Sequence, residues 1–266
     1  MNQHTNAILI IKVGTSTVTT RDQNGQLALD LESFQRIGQQ VINLRQQGYT
    51  VAIVSSAAIT AGMAATGLTV RPVNTEQSMP TLQALASIGW RYVLNAWADA
   101  LGSLTIGELL VSRRELERDI ERSELLRVTH SLMQSGTVAI INENDAIAHE
   151  EIAYGDNDTL AAHFAAKLKN SKLFSGSVSV VILSDIDGVY EDINDKATII
   201  RHIHDIDASE AFAKGTDDGV GTGGMVTKFK AARIARDYGV DLYITQGRIA
   251  ETIPRAVSRE IGTYFG

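Results

Sequence analysis

The chain has 266 residues, 44% apolar and 21% charged, with a formal net charge of −7 and no cysteine. That composition excludes disulfides, thiolate metal sites and thiol nucleophiles, and it argues against a nucleic acid as main partner, because phosphate-backbone binding draws on a surplus of Lys and Arg. With three prolines in the whole chain, long disordered linkers are not expected either.

The first apolar run, AILIIKV (7–13), is too short for a membrane span and follows no basic leader, so it reads as a buried core strand of a cytoplasmic protein. Lys12 closes this run, just before Gly14, Thr15, Ser16 and Thr17. A lysine there either snorkels to solvent or supplies a cation where glycine lets a phosphate approach the backbone. Leu31, Phe34, Val41 and Leu44 recur near helical spacing, with Asp30 as N-cap and Gly48 as the stop. A strand over 50–55 follows, then a helix over 123–135 ending at Gly136, and further strands over 137–141, 178–183 and 240–245.

Strand and helix in repeated order predict an α/β fold, a three-layer α/β/α sandwich around a mainly parallel sheet. One domain is expected, its part from about residue 171 forming a second lobe of the same sheet. Sheets of this kind bind ligands beyond the carboxyl ends of their strands. Those ends read KVGTST (12–17), SSAAITAG (55–62), INENDA (141–146), SDIDG (184–188) and TQGR (245–248), all polar or glycine-rich.

The stretch GTGGMVTK (221–228) runs into a helix expected over Phe229 to Tyr238. Unpaired N–H groups and the positive end of the helix dipole would favour an anion there, with Lys228 beside it; a surface loop before an ordinary helix is the alternative. Gly219, Gly221 and Gly224 satisfy G-x-G-x-x-G without the required strand before them, and a Walker A pattern does not occur. In YGDNDTLAAHFAAKL (154–168), Asp156, Asn157 and Asp158 head a helix, and capping accounts for one or two of them. Together with Asn142, Glu143, Asn144 and Asp145, they predict a polar cavity for a small amine or a metal-bound phosphate. His149, His163, His202 and His204 lack zinc spacing, and Ser56 lacks a nucleophile-elbow context.

Read in order, KVGTST, VSSAAITAG, INENDAIA, YGDNDTLAA, ILSDIDGVY and GTGGMVTK resemble the amino acid kinase family from about residue 7 to about residue 248, and most of all its glutamate-phosphorylating members. The resemblance implies transfer of the γ-phosphoryl of ATP to the side-chain carboxylate of L-glutamate, giving glutamyl 5-phosphate on the way to proline. It implies that Lys12 and Lys228 flank the transferred group and that Asp158 holds the two ammonium groups. Ser56, Ala57, Asn142, Asp145, Asp156 and Asn157 would bind glutamate. Lys12, Gly14, Ser184, Asp185 and the loop Thr222, Gly223, Gly224, Met225, Val226, Thr227 and Lys228 would line the ATP site, with Mg2+ bridging phosphates and its protein ligands unassigned. Residues up to about 170 would then form the substrate lobe and the rest the nucleotide lobe.

By the same likeness the chain is expected to be a homodimer or homotetramer, a short form without the C-terminal PUA domain of many members, and open to feedback by proline, with Gly67 to Pro80 as a cover near the substrate. Two departures stand out. Ser56-Ala57-Ala58 replaces the family's Ser-Gly-Ala, so a positive φ at residue 57 would cost about 1–2 kcal/mol. The stretch Ala86 to Trp90 also differs from a common segment ending Gly-Gln. Two other readings stay open: a sibling kinase acting on another carboxylate, carbamate or phosphate, and a nucleotide or amino-acid sensor without turnover. A phosphate acceptor would call for Lys or Arg between residues 137 and 160, where the chain has none.

Overall fold

A computed structural model describes residues 7–21, 23, 25–147, 157–192, 194–213 and 224–266. Its elements, in chain order, begin with β1 (Ile8–Val13), α1 (Thr15–Val18), the hairpin strands β2 (Thr19–Arg21) and β3 (Leu27–Leu29), α2 (Leu31–Gln46) and β4 (Thr50–Ser55). They continue with α3 (Ala58–Thr66), α4 (Met79–Leu101), β5 (Ile106–Val111), α5 (Arg113–Glu117), α6 (Asp119–Gln134), β6 (Val138–Glu143) and α7 (Asn157–Asn170). The last part holds β7 (Val178–Ser184), β8 (Val189–Tyr190), β9 (Ile199–Ile200), β10 (His202–Ile203), α8 (Ile206–Ala213), α9 (Met225–Asp237), β11 (Asp241–Gln246), α10 (Thr252–Val257) and β12 (Thr263–Phe265).

The main sheet has eight strands in the order β10-β12-β11-β7-β1-β4-β6-β5. Its neighbours pair in parallel except β11 with β12. Strand β1 sits in the middle, with β4 on one side and β7 on the other, so the chain winds outward in both directions from it. Ligand crevices open at such a switch point, beyond the carboxyl ends of the two strands. Lys12 pairs with Val54 and Ile182 in register, one residue short of that edge.

Alternation along β1 decides which layer each residue meets. Leu9, Ile11 and Val13 join the core beneath α2, α3 and α4, whereas Ile8 and Ile10 join the core beneath α7 and α9. Lys12 has the parity of the second set and therefore faces α7 and α9. Fully buried Phe164 on α7 and Phe229 on α9 fasten both helices to that face, each worth about 1.5–3 kcal/mol of burial.

Local sequence explains the helix ends that matter. The Asp30 carboxylate caps α2 by accepting from the Ser33 N–H at 3.2 Å, and Gly48 ends that region at φ 94°. Helix α6 starts earlier than its periodicity suggests, at Asp119, because its first turn is acidic and exposed and shows no apolar stripe. Helix α9 likewise starts at Met225, after an extended Gly224, which places Lys228 inside the helix and buries it.

Candidate active site

Lys12 arrives from β1, Asp158 from the first turn of α7 and Lys228 from α9. Lys12 Nζ lies 2.6 Å from Asp158 Oδ1, and Lys228 Nζ donates to Asp158 Oδ2 at 3.2 Å. All three side chains are buried, Asp158 completely. Burial alone would raise the Asp158 carboxyl pKa, but the charges of Lys12 and Lys228 and their hydrogen bonds outweigh it and hold the group below the usual carboxylate range. Two ammonium groups thus share this carboxylate among the described residues, inside a protein interior where charge is costly. An anionic group arriving beside them offsets that cost.

Capping does not account for Asp158, whose oxygens face the two lysines. Beside it Asn157, also buried, donates through Nδ2 to Ser55 O at 3.2 Å, Ser56 Oγ at 2.9 Å and Asn142 Oδ1 at 3.0 Å. The carbonyl of Ser55 fixes which way this amide faces. Its Oδ1 is buried with no hydrogen-bond partner among the described residues, an acceptor that an N–H donor would complete. Asn142 Nδ2 in turn donates to Asp145 Oδ2 at 3.3 Å, so one chain of contacts runs from the end of β4 to the turn after β6.

Ala57 opens α3 with φ 85° and ψ 6°, the left-handed conformation that its replacement of glycine makes strained. It is nearly buried. Helices α3 and α4 cross at glycines: a Cβ on Gly89 would stand 1.9 Å from Ala58 O, and one on Gly62 the same distance from Leu85 O. Trp90, in the divergent 86–90 stretch, is buried and donates through Nε1 to Glu108 of β5.

On the other side of β1, Gly14 donates its N–H to Leu183 O at 3.2 Å, and a Cβ at Gly14 would lie 3.6 Å from Lys12 Nζ. Ser184 closes β7 and donates to Asp185 Oδ1 at 3.0 Å, while Asp185 itself is exposed. Gly224, Met225, Val226 and Thr227 lead to Lys228, with Thr227 Oγ1 donating to Gly224 O at 2.8 Å. Asp156, Thr222 and Gly223 lie outside the described residues. The structure thus gathers Lys12, Asp158 and Lys228 at one point, links Ser56, Asn142, Asp145 and Asn157 beside it, and sets Gly14 and Ser184 across the crevice.

Arg71 was not singled out by sequence. Desolvation by neighbouring atoms lowers the pKa of its guanidinium and the charge of Asp145 opposes that shift, so Arg71, though largely solvent-exposed, lies within electrostatic range of Asp145. No periodicity marks such a residue, because it sits in an irregular segment.

The profile of the Amino acid kinase family matches residues 7–246. The chain belongs to the amino acid kinase family. Among curated relatives, a glutamate 5-kinase of Clostridium tetani is 35% identical over 266 residues, covering 97% of this chain and 93% of that protein. A glutamate 5-kinase of Thermus thermophilus is 34% identical over 262 residues, covering 97% of this chain, and there the match spans 66% of the relative's length. Solved structures with the same fold include carbamate kinase from Giardia lamblia bound to AMP-PNP, with TM-score 0.64 at 14% identity over 99% of both chains. Isopentenyl phosphate kinase gives TM-score 0.60 at 19% identity, covering 97% of this chain and 99% of that one. These likenesses support the expected three-layer amino acid kinase fold around a mainly parallel sheet.

Proposed function

We propose that the chain carries out the reaction named by its glutamate 5-kinase relatives, transfer of the γ-phosphoryl of ATP to the side-chain carboxylate of L-glutamate. The observation that carries this reading is the Lys12–Asp158–Lys228 cluster at the switch point of the sheet. Phosphoryl transfer between two anions asks the protein for alignment and for cations where charge develops on the equatorial oxygens. Lys12 and Lys228 are those cations, and Asp158 keeps both in place when the site is empty. Glutamate is ionised at neutral pH, so its carboxylate attacks phosphorus without a general base. The phosphorus–oxygen bond to ADP breaks as the new one forms.

The amino group of the acceptor has its counterpart in Asn157 Oδ1, which has no partner among the described residues, and in Asp145, oriented by Asn142. Residues 137–160 contain no Lys or Arg, although Arg71 of the α3–α4 connection sets a guanidinium within electrostatic range of Asp145. Asp185 gives one oxygen to Ser184 and presents the other, a donor set that fits magnesium carried in on nucleotide phosphates. Magnesium supplies Lewis-acid stabilisation of the phosphates when bound. The lobe assignment, proline as a feedback ligand, a dimer or tetramer, and a cytoplasmic location belong to the same proposal.

A coupled ADP-release assay with ATP and magnesium separates the readings. Glutamate should support turnover above aspartate, carbamate, UMP and isopentenyl phosphate. Absence of turnover with glutamate would defeat the proposal, and turnover with another of these acceptors would name the sibling activity.

A further inference from the structure

Gly247 and Arg248, just past β11, lie against the turn that follows β1. Gly247 has no room for a side chain: a Cβ would come within 2.5 Å of Thr17 Cγ2 and 3.1 Å of Leu183 Cβ. Its N–H donates to Ser184 O at 2.8 Å, and its carbonyl accepts from Arg36 Nη2 at 3.3 Å. Arg248 then reaches across the crevice. Its Nη2 donates to Ser16 O at 2.8 Å and to Thr19 O at 2.7 Å, and its Nη1 lies 3.7 Å from Asp30 Oδ2.

The segment held in this way is Gly14 to Thr19, the turn beside the Lys12 ammonium. Its other bonds include Gly14 N–H to Leu183 O at 3.2 Å, Thr17 N–H to Gly14 O at 3.0 Å, Thr17 Oγ1 to Leu183 O at 3.4 Å, Thr19 Oγ1 to Thr15 O at 2.8 Å and Asp30 N–H to Val18 O at 2.9 Å, none of which ties the carbonyls of Ser16 and Thr19 together as Arg248 does. A planar guanidinium can serve two separated carbonyls and a carboxylate at once, which an ammonium on a flexible stem does less well. We infer that Arg248 is a positioning residue for phosphoryl transfer, fixing the Gly14–Thr19 turn and through it the site of Lys12 without touching the substrates. The catalytic part of this inference rests on the kinase reading; the mechanical part does not.

Hydrogen exchange on the ligand-free protein tests the mechanical part. In Arg248→Ala the amides of residues 15–20 should exchange about tenfold faster than in the wild type, with β4 and α4 unchanged. Kinetics test the catalytic part. Arg248→Ala and Arg248→Lys should lower kcat about tenfold to a hundredfold, leave the KM for glutamate within about twofold, and keep the thermal midpoint, while added guanidinium ion restores part of the Arg248→Ala rate. Unchanged exchange in the turn overturns the inference whatever the substrate, as does faster exchange with kcat unaltered. If the wild type fails to phosphorylate glutamate while the turn loosens as expected, the proposed reaction falls and the clamp stands.

Discussion

Residue 57 offers a test in which most unknowns cancel. Ala57 is left-handed at the start of α3, and Ala61 is helical one turn later; both are nearly buried. Replacing either by glycine removes one buried methyl, worth about 0.8 kcal/mol. Either change also adds freedom to the unfolded chain, costing about 0.4–1 kcal/mol. Only at residue 57 does the change relieve left-handed strain of about 1–2 kcal/mol. Ala61→Gly should therefore destabilise by about 1.5 kcal/mol, while Ala57→Gly should stay within about 0.5 kcal/mol of wild type. The gap between the two, about 1–2 kcal/mol, is the strain itself. Urea midpoints measured at a common slope would show it, and for a chain of this size it amounts to a few degrees in Tm. Equal losses in the two variants would refute a left-handed Ala57.

Asp158→Asn removes the carboxylate that two buried ammonium groups share, and stability at pH 7 should fall by about 3 kcal/mol. Because the folded pKa of Asp158 is depressed, its contribution is present above the unfolded value of about 3.9 and is lost as pH falls through the lower folded value. The difference between wild type and Asp158→Asn should accordingly be flat from neutral pH down to about 5 and shrink below about 4; a difference that widened on acidification would contradict the charge arrangement. Gly89→Ala should cost about 3 kcal/mol, seen as a lower denaturation midpoint, because its methyl cannot fit against Ala58 O without parting α3 from α4. A wild-type midpoint for that variant would show the helix crossing to be looser than it looks.

Continuous β-branched runs made β1, β4, β6, β7 and β11 legible, since a strand covered on both faces needs apolar residues throughout. Strand β5 escaped because it is the sheet's edge: IGELLV is only partly buried and carries Glu108, so its pattern falls between templates. Strand β12 has three residues, too few for a period. Of the candidate site, Lys12 stood out as a charge closing an apolar run, and Lys228 as a charge after glycines. Their meeting on Asp158 depends on sheet order and on the parity of β1, neither of which a linear spacing of 12, 158 and 228 encodes. It was legible only through resemblance. The roles of Ser55, Arg71 and Arg248 rest on contacts across more than a hundred residues or on irregular segments, and single-sequence patterns are silent there.

The cluster draws one group from the opening strand, one from past the middle of the chain and one from α9. Lys228 is the last of the three to be synthesised, so under the proposed reaction a chain cut before α9 carries only one of the two cations that would meet the transferred phosphoryl. If that proposed reaction holds, unfinished or clipped copies should be idle, and turnover would report on copies complete through Lys228.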